Sequence, residues 1–218
     1  MSTLAPIHAR PDTTALLLSH AALRGEFVRL SEACRAPGAE ELRAGITGHL
    51  ALVLDVLRLL HEAEEDVLWP ALSGAAPCLR PELDALAAER ASLAVPLARV
   101  RVASAGPLPR LAVPLREAGA AVAAYLTAKE GLCLEGIRAF LPMPAWERFD
   151  ETRRWRIPPS LRSRVEGLLL SYGSPEQLAH LRAAGGRLHG YLVVRRTLPA
   201  HHRRMRAVYG HLPAGSGR

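Results

Sequence analysis

Along four long stretches of this chain apolar residues recur at alternating steps of three and four, the period of an amphipathic helix. The first stretch runs from about Thr13 to Cys34, with Leu16, His20, Leu23, Phe27 and Leu30 on one stripe. Pro37-Gly38 breaks it. The second runs from about Ala39 to Leu72 along Leu50, Leu54, Leu57, His61, Glu65, Leu68 and Leu72, with Pro70 near its end and Ser73-Gly74 stopping it. The third opens at Pro81, a favourable first-turn residue, and follows Leu83, Leu86, Arg90, Leu93, Leu97 and Val100, with Pro96 placed to kink it. Gly106-Pro107 and Pro109 make the next break. The fourth runs from about Arg110 to Phe140 along Leu115, Ala118, Val122, Tyr125, Lys129 and Leu132, and Leu141-Pro142-Met143-Pro144 ends it. Four amphipathic helices with short links predict an all-α fold, an up-down-up-down four-helix bundle over residues 1–144.

Shorter helical patterns follow at about Ser160–Tyr172, Pro175–Ala184 and Leu188–Tyr209, separated by Gly173 and Gly185-Gly186. Residues 145–212 are expected to be a basic helical C-terminal extension packed on the bundle. Trp146, Phe149, Leu161, Leu168, Leu178 and Leu192 need a surface to cover, and so short a segment hardly builds a core alone. Residues 213–218 read as a disordered tail.

Composition supports helices. Of the 218 residues 49% are hydrophobic and only 5% aromatic, with Ala, Leu and Arg prominent. The net charge of +7 is unevenly spread. Residues 1–147 hold 14 basic and 17 acidic side chains, whereas residues 148–218 hold 14 and 4. No RNA- or DNA-binding motif accompanies the basic third, so a solvated helical face is expected there and nucleic acid is not. His201-His202, among Arg203, Arg204 and Arg206, is read as part of that face. Cys34, Cys78 and Cys133 are scattered and odd in number, which indicates neither a disulfide framework nor a zinc knuckle. With no signal-peptide pattern at the N-terminus, a cytoplasmic setting is expected. No uncharged apolar stretch is long enough for a membrane span.

The informative residues are the polar ones that interrupt the apolar stripes. They are His20 on the first helix, His61 and Glu65 on the second, Arg90 on the third, and Tyr125 and Lys129 on the fourth. Each helix thus aims a polar group at the interior, where an unpartnered one costs several kcal/mol, so about six together imply a shared polar site. His and carboxylates at this spacing are how a bundle holds metals between its helices. Lys129 is the only lysine in the chain.

The run His61-Glu-Ala-Glu-Glu65-Asp-Val-Leu-Trp69-Pro70-Ala-Leu72 resembles the second helix of hemerythrin-like, HHE cation-binding domains. Ser19-His20-Ala-Ala-Leu23-Arg24 resembles their first-helix segment, Glu89-Arg90 their third-helix Glu-His, and Tyr125-Leu-Thr-Ala-Lys129-Glu130 their fourth-helix His-Leu-x-x-Glu-Glu. The resemblance spans about residues 13–150 and implies a non-haem di-iron centre for oxygen, iron or redox sensing. His20, His61 and Glu65 match ligands of that centre. Arg90, Tyr125 and Lys129 stand where ligands are missing, with Glu130 one position over. Arg cannot ligate, because it keeps its proton. The expected function is therefore a metal-free or metal-poor polar cavity that binds or converts a small organic molecule. His20, His61, Glu65, Arg90, Tyr125 and Lys129 would be its acid/base groups, for isomerase, cyclase or lyase chemistry if it is an enzyme. No cofactor is expected. The alternative is non-haem iron on His20, His61, Glu65 and Glu130. Lys129 is expected to point inward and pair with Glu65 or Glu130.

Overall fold

The structure, a computed structural model, describes residues 10–184 and 193–210. The fold is all-α, and no strand occurs among the described residues. Helix α1 (Thr14–Ala33) ends before Pro37, and Gly38 takes the left-handed conformation, φ +75°, that turns the chain. A 3-10 turn (Ala39–Leu42) leads into α2 (Arg43–Ala63). Glu40 in that turn accepts a hydrogen bond from the backbone N–H of Leu108, 2.9 Å away, at the start of another helix. A carboxylate is well placed there, on unsatisfied amides at the positive end of a helix dipole.

The second helix does not run straight to Ala75. After α2 it widens into a π turn (Glu64–Leu68) and continues as α3 (Trp69–Ala75). Pro70 explains the widening. It has no N–H for the carbonyl of Asp66, and its ring would clash there, so the chain opens one turn before it. The whole helix Ala39–Ala75 is long and apolar enough to cross a membrane by length and composition, with mean hydropathy 1.3 in its most apolar window. That window is 56% buried inside the protein, as expected for a core helix.

A 3-10 turn (Pro77–Leu79) precedes α4 (Arg80–Ser92), and a break at Leu93 separates it from α5 (Ala94–Ala103). The kink expected at Pro96 is therefore a full break, placed where a proline in the first turn lacks no helical partner. Helix α6 (Leu108–Phe140) is the longest and carries Pro109 in its first turn and Pro114 inside. It packs along α1 and also against α4 and α5. The close approach of α1 and α6 rests on Gly119, where a Cβ would meet the Cβ of Phe27 at 2.8 Å. Ser31 donates to the carbonyl of Ala112 across the same seam, 2.8 Å.

Leu141-Pro142-Met143-Pro144 ends α6 at Phe140 as expected, and the same run opens a further helix, α7 (Met143–Arg156). Pro144 lies in its first turn, where proline starts a helix as readily as it stops one. Helices α8 (Pro159–Leu170) and α9 (Pro175–Ala184) pack on α1. A π turn (Val193–Thr197) leads into α10 (Leu198–Tyr209), which packs on α2 and α8. The expected helix from Leu188 is described only from Val193, and the tail 213–218 lies outside the described residues. Trp146, Phe149, Val165, Leu168, Met205, Val208 and Tyr209 belong to the same apolar core as Phe27, Leu57 and Val122.

Phe149 is fully buried in that core. Phe149→Ala is expected to lower stability by about 3–5 kcal/mol, measured by urea unfolding at constant m. An unchanged midpoint would mean that α7 rests on the surface without adding to the core.

Candidate functional site

Helices α1, α2 and α6 bring together most of the polar residues singled out in the sequence. His20, His61, Tyr125 and Lys129 are all buried, with exposures of 1%, 8%, 2% and 1%. Lys129 points inward, but its partner is Glu64, whose Oε1 accepts from Nζ at 2.7 Å. Glu64 is completely buried. Glu65, expected on the inward stripe, is instead exposed and pairs with a half-buried Arg90. Steps of three and of four from His61 both lie on its face, so Glu64 and Glu65 compete for the interior. The π turn, which spans both, settles the contest for Glu64 and returns the inward face at Leu68 and Leu72. Arg90 consequently neutralises the rim and not the core.

Glu130 sits beside this pair. Its Oε1 accepts from His20 Nδ1 at 2.8 Å and from Arg24 at 2.8 Å, and its Oε2 accepts from Arg24 at 3.0 Å. Burial alone would raise the Glu130 pKa, but the hydrogen bonds from His20 and Arg24 bring it down to about 2. With an ionised carboxylate on Nδ1, that nitrogen carries the His20 proton and Nε2 carries the lone pair. Burial, then the charge of Lys129, lower the His20 pKa to about 4. Burial, then Lys129 and Arg90, lower that of His61 to about 3. Both imidazoles are thus neutral bases at neutral pH. Desolvation raises the Glu64 pKa, against the pull of Lys129. The Lys129 ammonium also lies 5.3 Å from the centre of the Tyr125 ring, which meets His61 edge-on at 5.3 Å.

Three buried polar atoms at this site, His20 Nε2, His61 Nε2 and Glu64 Oε2, have no hydrogen-bond partner. Such atoms are uncommon in a folded interior, and each calls for an explanation. The donor set does not fit a di-iron centre. Lys129 occupies one oxygen of Glu64, Arg24 and His20 occupy Glu130, and Glu65 faces outward. Among the described residues no group of three or more His, Cys, Asp or Glu is arranged to hold a metal ion.

A second polar cluster centres on Glu26, which the sequence reading did not single out. Glu26, fully buried on α1, accepts from His49 Nε2 at 2.9 Å, Arg29 at 3.1 Å and Tyr172 at 2.9 Å, and also from the Tyr209 hydroxyl. Burial would raise its pKa, but these partners hold it at about 2. Glu26 lies six residues after His20, off the stripe that carries the first site, so apolar spacing did not select it. His201 is also buried, 2% exposed, and only His202 of that pair faces solvent. The amphipathic period of α10 turns one of two adjacent histidines inward. Compared with protein-family models, curated proteins and solved structures, the chain matches none.

Lys129→Met removes the charge and keeps the length, leaving Glu64 buried and uncompensated. The expected loss is about 3–5 kcal/mol in chemical denaturation. Adding Glu64→Leu should restore most of it, since an apolar pair of similar volume often replaces a buried ion pair without loss. If the double variant is no more stable than the single one, the pair is not the source of the loss.

Stability is also expected to fall with acid in two steps. His20, His61 and His201 have folded pKa values of about 4, 3 and 4, below the ordinary 6.5. Below pH 6.5 the unfolded chain takes up protons that the folded chain refuses, so stability drops from pH 6.5 towards 4. Glu26 and Glu130, held at about 2, contribute stability that is present above pH 4.5 and lost as pH falls towards 2. Glu64, shifted upward, has the opposite sign. His61→Gln should flatten the upper step in a series of melting temperatures across pH, and an unchanged slope would place His61 in solvent.

Proposed function

We propose that this chain is a hemerythrin-like bundle of up-down-up-down topology in which the Lys129–Glu64 pair stands where metals would sit. Its interior binds or converts a small organic molecule by acid/base chemistry. The observation that carries this reading is the set of three unpartnered buried atoms around that pair, His20 Nε2, His61 Nε2 and Glu64 Oε2. Two of them, His20 Nε2 and Glu64 Oε2, are acceptors, so the guest must present hydrogen-bond donors, as an alcohol, amide or amine does. A guest of that kind satisfies atoms that otherwise pay the full cost of desolvation.

The chemistry follows from the charges. His61 and His20 are neutral, while burial raises the Glu64 pKa and so makes its carboxylate a stronger base than an exposed one. A proton moved between these groups across a bound molecule is the step expected of an isomerase, cyclase or lyase. Lys129 holds the anionic form of Glu64 in place. The reading of non-haem iron on His20, His61 and a carboxylate competes with this one, and Lys129 opposes it by bringing a fixed cation to the carboxylate a metal would need.

Elemental analysis of protein purified from iron-supplemented cells is expected to find far less than one iron per chain and no oxo-bridge absorption band. In thermal-shift assays, small neutral amides and alcohols should include compounds that raise the melting temperature of the parent but not of His61→Phe. Two irons per chain would overturn the proposal. A panel in which every compound acts equally on both proteins would remove the assigned site.

A further inference from the structure

A groove of about 200 Å³ lies between α2, α8 and α10, away from the interior site. Its charged lining comes from Arg164 on α8 and Arg204 on α10, with His49 and His201 beside them and no acidic residue among the lining side chains. Neither guanidinium makes an ion pair or hydrogen bond among the described residues, although Arg164 Nε and Arg204 Nη2 are both shut off from solvent. Arginine donors buried without acceptors are costly, and the two side chains that carry them line one groove. The nearest buried carboxylate, Glu26, gives its oxygens to His49, Arg29, Tyr172 and Tyr209 and has none left for this groove.

The helices leave the space open by design of sequence. At Gly45 a Cβ would meet the carbonyl of Ala207 at 2.7 Å, so α2 and α10 touch there. One turn on, a Cβ at Gly48, which also lines the groove, would meet nothing within 4 Å. The remaining wall is apolar, from Leu52, Met205 and Val208.

We propose that this groove binds a small phosphate monoester, its phosphate on Arg164 and Arg204 and its carbon part against Leu52 and Val208. Two guanidiniums in one place call for more than one negative charge, and a phosphate monoester carries about −1.5 to −2 at neutral pH. The volume lies below the roughly 300–1,000 Å³ of pockets for drug-sized ligands, which limits the carbon part to a few atoms. Burial, then the charges of Arg164 and Arg203, disfavour the charged form of Arg204, a cost that a bound dianion offsets.

Isothermal titration of the full chain with butyl phosphate, inorganic phosphate and butyrate tests this. Butyl phosphate should bind saturably at one site, inorganic phosphate more weakly for lack of the apolar contact, and butyrate weakest. Arg164→Gln with Arg204→Gln should weaken butyl phosphate at least about tenfold, while the unliganded melting temperature stays level or rises as the like charges are removed. Gly48→Leu fills open space on an exposed helix position, so the protein should stay folded and lose binding. Co-sedimentation with phosphatidylcholine vesicles containing phosphatidic acid separates the possible sources of the phosphate. Binding to those vesicles with no uptake of butyl phosphate would overturn the small-ligand assignment. Equal binding by parent and Gly48→Leu, or no saturable uptake of either soluble phosphate by the parent, would overturn the site itself.

Discussion

A carboxylate stripped of water must be answered by a cation, and in this chain Lys129 answers Glu64 with a 2.7 Å contact at the centre of the helices. The local chemistry hangs on that one pair. Burial and, after it, the ammonium hold both imidazoles neutral by making a second positive charge unfavourable. It also rests near the Tyr125 ring, whose face tolerates a cation. The choice of lysine in a chain otherwise served by arginine has a physical reason. Arginine presents five donors in a rigid fork and would need a matching set of acceptors, whereas lysine presents three on a flexible stem that reaches a single oxygen.

The second constraint is Glu26, which fastens the C-terminal helices to the first two. His49 comes from α2, Tyr172 from the end of α8 and Tyr209 from α10, so one carboxylate joins four segments far apart in sequence. Arg29 lies over the Tyr209 ring at 4.1 Å and adds its charge to the same oxygens. Gly25 makes the contact with Tyr172 possible, because any Cβ there would overlap the ring at 2.3 Å. These residues hold the basic helices in place around one buried ionised group, with apolar packing and the outer Arg156–Asp66 and His180–Asp12 pairs beside it.

The helices were legible in the sequence wherever apolar stripes were long. Leu16 to Leu30, Leu83 to Val100 and Leu115 to Leu132 mark α1, α4 with α5, and α6, and the inward positions of His20, His61, Tyr125 and Lys129 follow from the same period. Three things were not legible. The choice between Glu64 and Glu65 depends on a π turn that Pro70 forces, and a uniform helical period has no means of expressing a local change of phase. The Glu26 cluster and the inward turn of His201 depend on which helix faces land against one another, a tertiary fact absent from any single stripe. Helix α7 was hidden by prolines, which read as stops and here serve as starts.

The two polar regions follow opposite rules. The interior site is rich in acceptors: its unpartnered atoms include a lone pair on His20 and an oxygen of Glu64, and its one buried cation is already taken. The groove is rich in donors: its unpartnered atoms are guanidinium nitrogens, and the nearby carboxylate is already taken. A molecule that suits one is rejected by the other, since an anion brought to Glu64 or a donor brought to Arg204 meets like with like. His49 is the physical link between them, lining the groove while its Nε2 bonds to Glu26 on α1, the same helix that carries His20. A charge placed in the groove therefore acts on Glu26 through a short, buried, hydrogen-bonded path, in surroundings where water screens little. The interior pair joins the π turn after α2 to α6, and Glu130 is closed by Arg24 and His20, so each region balances its own charges within one core.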